Sequence, residues 1–259
     1  MTKTIMKLPR LIGMVHLAPL PGAPHAGSLA ETIALAVRDT ETLTAAGFDA
    51  ICVENFGDSP FFPNRVPRLT VAAMTAAAAA IRAKTHLPLG INVLRNDAES
   101  ALAIAACVGA SFIRVNILTG AMLTDQGLIE ARAHHVVRLR AKICPEVRIF
   151  ADILVKHAQT IGATPPLDQL VHDTVHRARA DALIVSGSGT GRSVDHERLE
   201  SVAKLSDVPV YVGSGATTAT ATELLRHAHG LIVGTSIKSP ADGPVSADLA
   251  AAFVASIRP

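Results

Sequence analysis

Eight short apolar runs, each followed by a polar or glycine-bearing turn and then by a segment of helical spacing, leave this chain few folds to adopt. The runs cover residues 11–15, 50–53, 89–93, 112–115, 147–150, 182–185, 210–212 and 231–233. Strands that alternate strictly with helices pair in parallel through crossover connections. Eight such units within 259 residues match one closed barrel. The predicted fold is therefore α/β, a single (β/α)8 TIM barrel over residues 1–259. A doubly wound open sheet is the competing arrangement, but no G-x-G-x-x-G follows the first strand.

The helical segments carry their own punctuation. Ser28 and Glu31 form a capping-box pattern ahead of Leu29, Ile33, Val37 and Thr40, and Gly47 ends that helix. Thr70 is placed to cap an alanine-rich helix running to Lys84, and Asp97 to cap another that stops at Gly109. Alanine here implies close approach of helix to sheet, combined with high helix propensity. The longest irregular segments, 19–27 and 55–69, both follow strands, which puts them at the C-terminal face where barrels of this kind build their sites.

Composition removes several classes of function. Apolar residues make up 49% of the chain and charged residues 18%, which excludes disorder. The 24 basic residues against 22 acidic ones form no run, which argues against a nucleic-acid partner. Cys52, Cys107 and Cys144 have no C-x-x-C spacing and fit a reducing cytoplasm. The apolar stretch after Lys3 and Lys7 is broken by Pro19, Pro21 and Pro24, unlike a signal peptide, and windows such as 101–113 are too short to span a membrane. A cytoplasmic protein is expected, and barrels of this kind can form homo-oligomers.

Two glycine turns give the clearest chemical signal. Gly213, Ser214 and Gly215 follow the seventh run, and Gly234, Thr235 and Ser236 follow the eighth. Neighbouring loops of this kind can turn main-chain amides and a helix N-terminus toward a phosphate, although the same glycines would also serve tight turns alone. Ser186 and Gly187 open a third glycine-rich stretch, reaching Gly191, that could form a third side of the anion pocket, a lid, or simply a mobile loop.

Polar residues within strand contexts are the next signal, because barrel interiors are otherwise filled by branched apolar side chains. Asn92, Arg114, Asn116 and Asp152 qualify as substrate-facing groups, with Phe112 in the layer below Arg114. Arg114 and Asp152 could equally make a structural pair across the barrel. Glu54, Asp152, Lys156 and His157 are the candidate acids, bases or electrophiles, with Lys156 alternatively a plain phosphate-binding cation. His16 ends the first strand and could bond substrate or be a satisfied core histidine. Glu54, Asp58, Asp97 and Asp152 offer oxygen ligands for Mg2+ without diagnostic spacing. His172 and His176 lack the glutamate of a zincin, and G-x-S-x-G is absent.

The ordered set Ile12-Gly-Met-Val-His16, Pro19-Leu-Pro-Gly22, Glu54-Asn-Phe-Gly-Asp58, Gly90-Ile-Asn-Val-Leu-Arg-Asn-Asp97, Phe112-Ile-Arg-Val-Asn116 and Val155-Lys-His-Ala158 resembles the BtpA/SgcQ family. The resemblance continues through Val185-Ser-Gly187, Thr190-Gly191, Val212-Gly-Ser-Gly215 and Ile232-Val-Gly-Thr-Ser236. Segment 217–222 lacks the asparagine of the family pattern, and 239–243 differs from its usual lysine-containing loop. The resemblance implies a β/α barrel; one branch of that family is named for photosystem I biogenesis, and another occurs among carbohydrate phosphotransfer and sugar-metabolism proteins. The expected function is an enzyme of the isomerase, aldolase or lyase type acting on a phosphorylated sugar or similar small anion. The alternative is a non-catalytic photosystem I biogenesis factor with a protein partner.

Overall fold

The computed structural model describes residues 8–153, 158–187 and 194–258. Eight parallel strands close into a barrel: β1 (Leu11–His16), β2 (Ala50–Glu54), β3 (Leu89–Asn92), β4 (Phe112–Val115), β7 (Arg148–Ile153), β9 (Ala182–Val185), β10 (Val210–Val212) and β11 (Gly230–Val233). They are the eight runs read from the sequence. β11 pairs with β1 to close the sheet, with Leu11 opposite Leu231. Helices surround it, from α1 (Leu29–Ala46), α2 (Arg68–Arg82) and α3 (Ala98–Val108) through α4 (Ala133–Ile143), α5 (Leu167–His172), α6 (His196–Leu205) and α7 (Ala221–Leu224) to α8 (Ala247–Ile257).

The period of two along each strand divides the apolar residues into two cores. Val15, Ile51, Val53, Ile91, Ile113 and Ile149 pack outward against the helices, where Ala73, Ala77 and Ala78 of α2 allow close approach. Ile12, Met14, Ala50, Cys52, Phe112, Phe150, Ile184, Tyr211 and Ile232 fill the lumen. Phe112 stacks on Phe150 at 4.7 Å between ring centroids, and Phe150 meets Tyr211 at 4.9 Å. The Tyr211 hydroxyl, sealed in this core, donates to the Pro9 carbonyl at 2.8 Å.

Above this apolar floor the inward positions turn polar. His16, Glu54, Asn92 and Arg114 are register partners across β1 to β4. Paired strands carry like positions to the same height, so these four side chains enter the upper lumen together.

Several helix boundaries follow the sequence. Gly47 and Gly109 adopt left-handed φ values of 93° and 63° at the ends of α1 and α3, and the Asp97 carboxylate accepts from the Ser100 amide. Two caps differ. Ser28 occupies the cap position of α1 without a side-chain hydrogen bond. Thr70 lies buried inside the first turn of α2, which starts at Arg68 after Pro67. The reason is tertiary: Asp97 also takes the Val66 amide at 2.9 Å, which fixes the chain's entry to α2 ahead of Thr70.

A small antiparallel sheet of β5 (Ala121–Thr124), β6 (Gly127–Glu130) and β8 (Ala158–Thr160) is inserted after β4 and β7, and the sequence reading missed it. Met122 and Ile129 pack with Ile117 beneath it. Asp125 and Gln126 at its tight turn lack the Asn-Gly or Asp-Gly signature that marks a hairpin.

The lumen floor makes one strong demand on side-chain volume. A Cβ on Gly90 would stand 2.2 Å from the Phe112 ring. Gly90→Ala should therefore destabilise the barrel by about 1–3 kcal/mol, lowering the melting temperature by several degrees. A Gly90→Ala/Phe112→Leu double variant, measured by the same thermal melt, should recover part of the loss.

Candidate functional site

One cavity of about 740 Å³ opens at the C-terminal end of the strands. His16, Glu54, Arg114, Asn116, Gly213, Ser214, Gly215, Gly234 and Thr235 all line it. The two glycine turns therefore share one chamber with the polar ends of the first, second and fourth strands. Asn92, Asp152, Ser186 and Gly187 do not line it. Lys156 and His157 lie outside the described residues.

The lower wall is organised around a buried ion pair. Arg114 donates through Nε and Nη2 to the two oxygens of Asp152, both at 2.8 Å. Ser186 Oγ donates to Asp152 at 3.1 Å, and Asn116 Nδ2 lies 3.4 Å from it. Asn92 Nδ2 bonds the Arg114 carbonyl at 3.2 Å and Asn116 Oδ1 at 3.3 Å. Burial works against the Arg114 charge, but attraction to Asp152, the hydrogen bonds between them and the nearby Glu54 outweigh it, so its pKa is raised. Asp152 is thus engaged from several sides, while the face of Arg114 lines the cavity.

Beside this network His16 Nε2 stands 3.6 Å from Glu54 Oε2. The imidazole stacks on Phe56 at 4.4 Å with an interplanar angle of 18°, which fixes its plane. A Cβ on Gly234 would come within 3.1 Å of His16 Cε1, so this glycine admits the imidazole to the rim. Gly213 serves the other pair in the same way, since its Cβ would meet Ser186 Oγ at 2.7 Å and Arg114 Nη2 at 3.2 Å.

The turns have donors to offer. Gly215 has φ of 75°, a left-handed angle that glycine adopts without strain and that main-chain anion nests use. Among the described residues, no acceptor takes the amides of Ser214, Gly215 and Ala216, or those of Thr235 and Ser236. The Ser236 hydroxyl, which also lines the cavity, is buried without a hydrogen-bond partner among the described residues.

The expected helix dipole is weaker than the sequence suggested. α7 is four residues long and begins at Ala221, while Gly234 is followed by a three-residue 3-10 turn. Neither sums many peptide dipoles. Ser186 and Gly187, expected among the phosphate donors, are committed elsewhere: Ser186 to Asp152, and the Gly187 amide to Ser214 Oγ at 3.1 Å.

The carboxylates considered for Mg2+ are dispersed in their duties. Asp58 accepts from the Leu20 amide and Asn55 Nδ2, Asp97 caps α3, and Asp152 binds Arg114. Among the described residues no three or more His, Cys, Asp or Glu side chains are grouped to hold a metal ion.

Sequence reasoning missed two cations. Arg95, after β3, is buried and lines the cavity. Lys238, after the last glycine turn, is buried close to Asp39, Glu54 and Asp242; burial lowers its pKa and those acids oppose the shift. Arg95 stands three residues past the end of β3, where no local pattern marks it, and Lys238 likewise gave no local signal.

No helix among the described residues is long and apolar enough to cross a membrane. The fold is shared with solved enzymes of low sequence identity. N-(5'-phosphoribosyl)anthranilate isomerase from Pyrococcus furiosus aligns with a TM-score of 0.59 at 13% identity, covering 96% of this chain and 98% of that one. Tryptophan synthase from Mycobacterium tuberculosis gives a TM-score of 0.61 at 18% identity, covering 96% and 93%. Sequence relatives are much nearer. An uncharacterized protein of Thermococcus kodakarensis is 50% identical over 88% of this chain and 86% of its own length. The photosystem I biogenesis protein BtpA of Synechocystis is 48% identical over 88% of this chain and 80% of its own. With the BtpA family model also matching residues 7–257, the chain belongs to the BtpA family.

Proposed function

We propose that this protein is an enzyme of the isomerase, aldolase or lyase type acting on a phosphorylated sugar or a similar small anionic molecule. The observation that carries the reading is the single cavity shared by the two glycine turns, His16, Glu54 and Arg114. Amides of 214–216 and 235–236, with the Ser236 hydroxyl, receive the phosphate as donors whose geometry exists before the ligand arrives. Glu54 moves the substrate proton, and His16 beside it holds or relays that proton. Arg114 stabilises negative charge developing on a carbonyl or enediolate oxygen, with Asn116 orienting the same end. Asp152 is a positioning residue in this scheme, because its oxygens already accept from Arg114 and Ser186. Neighbouring folds include enzymes whose names denote phosphorylated compounds, such as thiamine phosphate pyrophosphorylase, which agrees with the reading at the level of fold.

A non-catalytic role in photosystem I biogenesis is the second reading, carried by the name of the Synechocystis relative. It requires a protein partner. Substituting Glu54 by Gln should abolish function in the first reading and leave partner capture intact in the second.

Phosphate binding is tested by thermal shift against a panel of phosphosugars and their dephosphorylated counterparts. The phosphorylated members should stabilise the protein by about 1–3 kcal/mol at concentrations well above Kd. Gly215→Glu, which puts a carboxylate and a disfavoured backbone angle into the turn, should remove that stabilisation while the far-ultraviolet spectrum is kept. No shift with any ester would refute the reading.

The ion pair gives a separate test. Asp152→Asn leaves a buried guanidinium without its counter-charge and should cost about 3–5 kcal/mol in chemical denaturation. An Arg114→Met/Asp152→Leu double variant should regain most of that stability and still fail to turn over substrate.

A further inference from the structure

Arg95 is held more firmly than an incidental loop residue. Its amide donates to the Phe62 carbonyl at 3.0 Å. On one side, Asn55 grips Leu94 at both its amide (2.7 Å) and its carbonyl (3.4 Å). On the other, the Asn96 side chain bonds the amide and carbonyl of Ile117 at 2.8 and 2.9 Å. Two neighbouring loops, those after β2 and β4, thus fix the backbone on which this arginine stands, the preorganisation that a binding group needs.

Its location is set by the barrel. In a closed ring of eight strands, the third lies across from the seventh and the fourth from the eighth. Arg95 follows the third barrel strand, and the β5–β6 turn with Asp125 and Gln126 is inserted after the fourth. Both therefore face the glycine turns across the mouth, and all line the same cavity. The far rim is built for a polar group. Arg95 is only 6% exposed, and Gln126 Oε1 is buried there with no hydrogen-bond donor among the described residues. The charged groups acting on Arg95 are Asp152, Asp125, Glu54 and Arg114, drawn from four other segments.

Resting on the phosphate reading above, we infer that the ligand has two anionic poles: a phosphate at the glycine turns and a second anion, carboxylate or phosphate, bound by Arg95. A planar guanidinium can meet either group with two parallel hydrogen bonds, and does so best where water is scarce. Gln126 accepts a hydroxyl proton next to that anion.

Calorimetric titration with matched pairs tests this directly. Glycerol 3-phosphate against 3-phosphoglycerate, and glucose 6-phosphate against 6-phosphogluconate, add a carboxylate. Fructose 6-phosphate against fructose 1,6-bisphosphate adds a phosphate. At least one two-pole probe should bind about tenfold or more tightly than its single-pole partner, a typical gain for a charge-assisted bidentate contact. Arg95→Gln should bring that ratio close to one while single-pole affinity stays within about twofold, and Arg95→Lys should keep part of it. Equal binding within every pair by the unaltered protein overturns the inference, even if all phosphate esters bind. So does a preference that survives in Arg95→Gln, or a variant that loses stability with the ratio unchanged, since Arg95 then only latches the hairpin. Should Arg95→Gln fail to fold, Arg95→Lys and the ratio in the unaltered protein decide. If no ester binds at all, the phosphate reading falls and this inference falls with it.

Discussion

The bidentate contact between Arg114 and Asp152 is the interaction on which the upper half of the barrel depends. Removing a guanidinium and a carboxylate from water costs several kcal/mol per ion, and only near-ideal geometry with further hydrogen bonds offsets it. The pair meets both conditions, with two bonds of 2.8 Å and additional contacts to Asp152 from Ser186 and Asn116, the latter itself held by Asn92. The loop after the seventh strand is packed against the same group, since a Cβ at 213 would stand 2.4 Å from Ile184 Cγ2, 2.7 Å from Ser186 Oγ and 3.2 Å from Arg114 Nη2. A residue that looks like part of an anion turn is therefore first a packing necessity. Gly234 has the same double meaning through His16.

Loop stitching then turns a polar layer into a rigid chamber. Asn55 ties the second loop to the third, Asn96 ties the third to the fourth, and Asp58 reaches back to the Leu20 amide of the first. Each is a side chain bonded to backbone, which satisfies buried peptide groups that the strands no longer pair. Gly57 permits the tightest of these approaches, since a Cβ there would lie 2.5 Å from Pro19 N. The cavity walls are thereby fixed by polar contacts above the level where apolar packing ends.

All eight barrel strands were legible because parallel strands buried on both faces read as continuous apolar runs. Polar exceptions at strand ends were legible for the same reason: His16, Glu54, Arg114 and Asn116 stand out against that background and reach the cavity. What the strand pattern could not supply was the partner of each polar group. Asp152 reads like Glu54 in sequence, yet one is taken up by Arg114 and Ser186 and does not line the cavity, while the other does. Ser186 and Gly187 read like Ser214 and Gly215, yet their donors are spent on Asp152 and Ser214. Arg95, Lys238 and the β5–β6 hairpin were missed because loop position is decided by tertiary bonds between segments far apart in the chain, which no local period encodes.

The separation of duties within the lumen also explains why a charged site can sit on so apolar a scaffold. The carboxylates of Glu54 and Asp152 stand on β2 and β7, which flank β3 and β4; Arg114 rises from β4 and Arg95 from the loop after β3, and the turns after β10 and β11 contribute donors that carry no formal charge. Amides can hold a phosphate without the desolvation cost of another buried cation. With α7 only four residues long, little of that attraction comes from a helix dipole. In the proposed function an anion there is held by short-range contacts, which depend steeply on distance and alignment. On the proposed two-pole reading, such a site favours a ligand whose length fits the span between the turns and Arg95 over one that merely carries the right charge.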